Sequence, residues 1–136
     1  MIELSNLNVI AVVVATIAGM AIGALWYSPV LFGNAWLAAL GKTEEELSSP
    51  APAMIGSVVA SLVSAICIAI IVAAFGATTI ASGALVGALC GIGLVAMAML
   101  SDSLFCGWGW PLYFIQSGYR VVYLVVMGGI VGGWPD

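Results

Sequence analysis

Four long apolar runs alternate with short connections that hold most of the polar residues and most of the charge. The runs cover residues 7–27, 53–75, 80–100 and 112–134. Each reaches the roughly 20 residues that a helix needs to cross a hydrocarbon core. None alternates apolar and polar positions as barrel strands do, so the expected spans are helices. Pro29 stops the first run, Gly76 closes the second, and Pro135 follows the fourth. Helices two and three are separated only by Gly76-Ala77-Thr78-Thr79, a turn short enough to force an antiparallel hairpin. The first connection is longer. Val30 to Leu40 reads as a short amphipathic segment carrying Phe32 and Trp36, closed by Gly41. Thr43 and Glu46 have the spacing of a capping box, and Pro50 and Pro52 precede the second run. The third connection, residues 101–111, holds Asp102 and the corner Trp108-Gly109-Trp110-Pro111. The expected fold is an all-α integral membrane protein: one domain over residues 1–136, a four-transmembrane-helix bundle with a short amphipathic interfacial segment after helix 1.

Composition turns this expectation into a requirement. The chain is 64% hydrophobic and 6% charged, whereas soluble domains carry about 25% charged residues. Lipid must be its solvent. With two basic residues, six acidic residues and no histidine, it has no basic patch to neutralise phosphates, which excludes nucleic acid as a partner. Cys67, Cys90 and Cys106 show no metal-ligand spacing and read as small apolar residues. The N-terminus carries Glu3 and no basic side chain, and the first run ends in Trp26-Tyr27-Ser28-Pro29. It reads as a retained membrane helix and not as a cleaved leader. No nucleophile–base pair, P-loop or dinucleotide fingerprint is present. The expectation is therefore no catalytic residue, no cofactor and no metal.

Aromatic residues mark one membrane face. Trp26, Tyr27, Trp36, Trp108, Trp110 and Tyr113 fall at the ends adjoining connections one and three, while Trp134 and Phe75 fall at the other. Trp and Tyr favour the headgroup layer. Lys42 is the one basic residue in a connection, so the positive-inside rule turns connections one and three to the cytoplasm and both termini to the periplasm.

Small residues recur at every fourth position, which puts them on one face of each helix. Helix one has Ala11, Ala15, Gly19 and Gly23; helix two has Ser57, Ser61, Ala65, Ala69 and Ala73. Helix three has Gly83, Gly87 and Gly91, and helix four pairs Gly128 with Gly132 and Gly129 with Gly133. Without a hydrophobic drive in lipid, helices associate by close packing, and such seams permit it within the chain or between chains.

Arg120 is the outlier. It lies about 12 Å along helix four from Leu112 at 1.5 Å per residue, and a charge at such depth costs about 2.5–3.5 kcal/mol on insertion scales. Asp102 is the nearby acid in sequence, with Gln116, Ser117 and Tyr119 within a turn of Arg120. Three readings stay open: an Asp102–Arg120 clamp between helices three and four, an arginine facing a partner or lipid headgroups, and an ion or proton pathway through Asp102, Arg120, Gln116 and Tyr119.

The stretch from Gly23 to Trp36 around Trp26-Tyr27-Ser28-Pro29, and the end Ser117-Gly118-Tyr119 followed by Met127-Gly128-Gly129-Ile130-Val131-Gly132-Gly133-Trp134, are distinctive. Together they resemble the domain of unknown function 1761 family, small bacterial membrane proteins of four helices. The resemblance spans nearly the whole chain. It implies a multi-pass protein of the bacterial inner membrane and carries over no catalytic residue.

Two functions follow as expectations. The first is a non-enzymatic protein acting through helix–helix association, as an accessory subunit of a membrane complex or as a homo-oligomer, with membrane lipids around it. The second is a small-solute or proton-coupled transporter or channel that uses Asp102 and Arg120.

Overall fold

A computed structural model describes residues 7–47 and 49–134, so the expected stop at Pro135 lies outside the described residues. The described chain is helical, without strands, and four of its helical stretches are long and apolar enough to cross a membrane. Helix α1 spans Val9–Trp26, capped by the Asn8 side chain, which accepts from the Ala11 N–H at 3.0 Å. Helix α2, Gly33–Leu40, is the short segment expected after the first span; it ends at Gly41, whose φ of 70° suits glycine. A single turn over Glu44–Glu46 follows. Helix α3 spans Pro50–Ala74 with its proline in the first turn, where the missing N–H costs nothing.

The third span is compound. Helix α4, Ile80–Cys90, passes through a π-helical stretch at Gly91–Ala96 into α5, Met97–Cys106. It therefore runs to Cys106 and not to Leu100, and Asp102 is helical instead of lying in a loop. Ser101 to Cys106 contain no proline or glycine, and Gly107, with φ of 68°, provides the stop. Helix α6, Trp110–Gly133, forms the fourth span.

Helix α6 is the hub. It packs along α4 on one side and against α1 and α3 on the other, and it is the least hydropathic of the four spans. Glycines on both helices explain the first contact. A methyl group at Gly83 would fall on the Gly128 carbonyl, and one at Gly87 on the Leu124 carbonyl. At Gly132 it would stand 2.6 Å from the Thr79 carbonyl oxygen, and at Gly91 3.0 Å from the Val121 Cα. The seams of the third and fourth spans thus face each other, backbone against backbone, within one chain.

On the other side, Ala11, Ala15, Ala65, Ala69 and Met127 are buried to 1% exposure or less. The Ser61 hydroxyl donates to the Thr16 carbonyl at 2.9 Å and ties α3 to α1. Below this tie, towards the C-terminal end of α3, Ile68 and Val72 are buried as well. Above it, residues 50–60 of α3 are all exposed. The first half of α3 therefore stands off from α1, and the two helices bound a cleft that opens towards the α2 face.

The end of the third span packs loosely beyond the π stretch. Beyond it only Ser103 of α5 is buried, Phe105 is 92% exposed, and α5 touches α6 lightly. The Tyr113 hydroxyl fixes this junction by donating to the Ala96 carbonyl at 2.7 Å. Asp102 lies on this loosely packed end and is exposed.

Candidate functional site

Arg120 projects from α6 into the cleft between α1 and α3. Helical side chains tilt towards the helix N-terminus, so the guanidinium rises towards the aromatic face at Trp110. Its Nη1 donates to the Gln116 carbonyl at 2.8 Å. Its Cζ lies 5.7 Å from the centre of the Tyr119 ring, and the Tyr27 phenol stands beside it. A guanidinium has five N–H donors. The backbone carbonyl takes one of them, and no carboxylate among the described residues lies within ion-pairing distance.

The expected Asp102–Arg120 clamp is therefore corrected. Asp102 is exposed on α5, on the side of α6 served by the third span, whereas Arg120 turns towards α1 and α3. Gln116 contributes its backbone oxygen to Arg120. Tyr119 reaches α1, where its hydroxyl approaches the Gly19 carbonyl at a long 3.4 Å. Gly23 makes that approach possible, since a Cβ there would lie 2.8 Å from the same hydroxyl. Of the four residues expected to form a polar site, Arg120, Gln116 and Tyr119 come together and Asp102 does not.

An aromatic lattice frames the cleft. Trp26 donates its indole N–H to the Ile115 carbonyl at 2.8 Å and locks α1 to α6. Its ring lies over Gly118, where a Cβ would stand 3.1 Å from the indole. Tyr27 packs edge-on against both Trp36 and Tyr119, with centroids 5.1 and 5.5 Å apart. Tyr119 in turn meets Tyr123 at 4.9 Å. Trp36, brought in by α2, roofs the cleft; its indole nitrogen is buried and has no hydrogen-bond partner among the described residues. Trp110 lies apart with Tyr113 and Phe114, and is 57% exposed. Trp108 and Trp134 are partly exposed near the two ends of α6.

The cleft encloses about 460 Å³. Its walls are Met20, Gly23 and Ala24 of α1, Pro50, Ala53, Met54 and Ser57 of α3, and Tyr119 and Arg120 of α6, with Tyr27 and Trp36 above. The lining is largely apolar, with two phenols and a cation that has no ion-pair partner among the described residues. Such a set donates hydrogen bonds and accepts few. Chemically it can hold an anion at one end and hydrocarbon at the other. Sequence reading had the arginine and Tyr119 but missed Tyr27 as a polar partner and Trp36 as part of the wall, because both read as interfacial anchors. The signal available was that Arg120 sits at a depth close to the end of an antiparallel first helix, where Tyr27 must lie.

A family profile described as "Protein of unknown function (DUF1761)" matches residues 10–132. The chain belongs to the DUF1761 family. Neither a curated protein nor a solved structure matches it. The DUF1761 match takes in every wall of the Arg120 cleft, from Met20 to Arg120.

Proposed function

We propose that this DUF1761 protein is a non-enzymatic, multi-pass membrane protein that binds an anionic ligand in the Arg120 cleft. The carrying observation is Arg120 itself: half-buried, within a membrane span, bonded to one backbone carbonyl and facing no carboxylate among the described residues. An ionised group in that setting is costly without a counter-charge, and intramembrane cations usually mark a ligand or ion site. A ligand anion supplies what Asp102 does not.

A conducting pore is less well supported. Beside Gly19 the Ser61–Thr16 tie and the fully buried Met127 fill the space between the helices, and few polar side chains are buried among the described residues. Helix association remains a second reading. The seams of Gly19, Gly23, Gly83, Gly87, Gly91, Gly128 and Gly132 are occupied by contacts within the chain, but Gly56 and Gly93 meet nothing within 4 Å and leave room for a second copy or another subunit. In the bacterial inner membrane, with Lys42 on the cytoplasmic side, the cleft would open at the cytoplasmic leaflet and the termini would be periplasmic.

The test is thermal unfolding of the detergent-purified protein with and without soluble anionic amphiphiles and inorganic anions. A ligand that binds the folded state alone raises the midpoint, by about 2.7 kcal/mol of stabilisation at 100 times its Kd. The rise should vanish in Arg120→Gln. A midpoint that no anion shifts would refute the proposal.

A further inference from the structure

We propose that the occupant of the cleft is an anionic phospholipid, its phosphate held by Arg120 and one acyl chain laid between α1 and α3. This rests on the anion-binding role of Arg120 given above and names the ligand class.

Four observations carry it. First, the donors outnumber what a carboxylate needs. The guanidinium fork and the Tyr27 hydroxyl lie together at one end of the cleft. Arginine recognises phosphate bidentately, and a phosphodiester has a further oxygen for the phenol. Second, the space is too large for a bare inorganic ion. The cleft encloses about 460 Å³, and its walls away from Arg120 are hydrocarbon: Met20, Ala24, Ala53 and Met54. An amphiphile matches that division, and a small solute does not. Third, the cleft is continuous with the lipid phase. Residues 50–60 of α3 are exposed throughout, with Met54 at 59% and Ile55 at 67%. A chain enters sideways from the bilayer without crossing water. Fourth, the depth fits. Trp36 and Tyr27 roof the site from the headgroup layer, where such residues concentrate, and cationic pockets between spans at that layer are known to hold lipid head groups.

Charge selects among phospholipids. No carboxylate among the described residues lines the cleft, so a zwitterionic head group would bring a second cation beside the arginine. A head group of net negative charge adds no such cation. At the low dielectric of this layer, interactions between unit charges are several times stronger than in water.

The experiment uses the full chain, stripped of lipid in detergent and then mixed with vesicles of equal parts phosphatidylglycerol and phosphatidylcholine. After re-extraction, bound lipid is counted by native mass spectrometry. The expected result is about one phosphatidylglycerol retained per chain, with at least tenfold preference over phosphatidylcholine. Arg120→Gln should lose that preference, Arg120→Lys should keep much of it, and Tyr27→Phe should weaken retention severalfold. Ser57→Trp fills the hydrocarbon wall and leaves every donor in place. It should expel the phospholipid while a soluble anion still stabilises the protein. Circular dichroism on each variant separates lost binding from lost fold, and Tyr27→Phe and Ser57→Trp keep the test alive where Arg120→Gln does not fold. Equal retention of the two phospholipids, or retention unchanged in Arg120→Gln, overturns the lipid assignment. Arg120-dependent binding of oleate or inorganic phosphate without phosphatidylglycerol also overturns it, while leaving the anion-binding role intact. Binding of none of these removes both.

Discussion

Replacing Gly83 by alanine should separate the two most closely packed helices of the bundle. The added methyl falls on the Gly128 carbonyl, so it meets backbone and not a side chain that can turn aside. Helices α4 and α6 must move apart by about 1 Å, and a radial gap of 0.5–1 Å already forfeits a quarter to a half of each dispersion well. The neighbouring contacts at Gly87, Gly128 and Gly132 are also between backbones, so the loss spreads along the seam. Overpacking in cores costs about 1–3 kcal/mol, and a backbone clash belongs at the upper end. Alanine also gains about 0.5–1 kcal/mol over glycine in a helix. Gly56→Ala isolates that gain, since a Cβ there meets nothing within 4 Å. The propensity terms cancel between the two variants, leaving a difference of about 3 kcal/mol, roughly a hundredfold in the unfolding equilibrium. Unfolding in mixed dodecyl sulfate micelles, followed by circular dichroism, reads it directly. Gly83→Ala within 0.5 kcal/mol of Gly56→Ala would show that the backbones do not approach as described.

Four further outcomes are expected from the same unfolding assay. Tyr113→Phe leaves the Ala96 carbonyl without its 2.7 Å donor and should cost about 1–3 kcal/mol, the price of an unsatisfied buried group. Trp26→Phe removes the 2.8 Å bond to the Ile115 carbonyl and should cost about 1 kcal/mol or more; no change would mean that the indole does not lock α1 to α6. Ser61→Ala deletes one interhelical bond and should cost only about 0.6 kcal/mol, the usual value inside a membrane. Asp102→Asn should stay within about 0.5 kcal/mol of the parent, as exposed positions do, because Asp102 is exposed and unpaired with Arg120; a loss of several kcal/mol would restore the clamp.

The spans were legible because lipid leaves a chain few choices. A run of about 20 apolar residues without alternation must be a helix, and Pro29, Pro50 and Gly76 punctuate those runs visibly. Fourfold spacing likewise placed Gly83, Gly87 and Gly91 on one face. The spacing did not say which helix lies opposite, since a seam serves a neighbour in the chain as readily as one outside it. Proximity in sequence to the third span made Asp102 the natural partner for Arg120. The helix continues to Cys106 with Asp102 exposed on α5, and Arg120 turns to α1 and α3; hydropathy marks neither.

What the sequence determined alone was the solvent, the number of spans, the aromatic face and the presence of a cation that needs explaining. All four are properties of composition and of position along one axis. What the tertiary structure decided was rotation about that axis. Met127 and Gly128 are neighbours in the chain, yet Gly128 meets the Gly83 backbone while Met127 packs beside Gly19. Each residue turns a helix by about 100°, so adjacent residues reach different partners. Arg120 meets Tyr27 beneath Trp36, and not Asp102, for the same reason: its azimuth on α6 points it at the cleft between α1 and α3 and not at the third span.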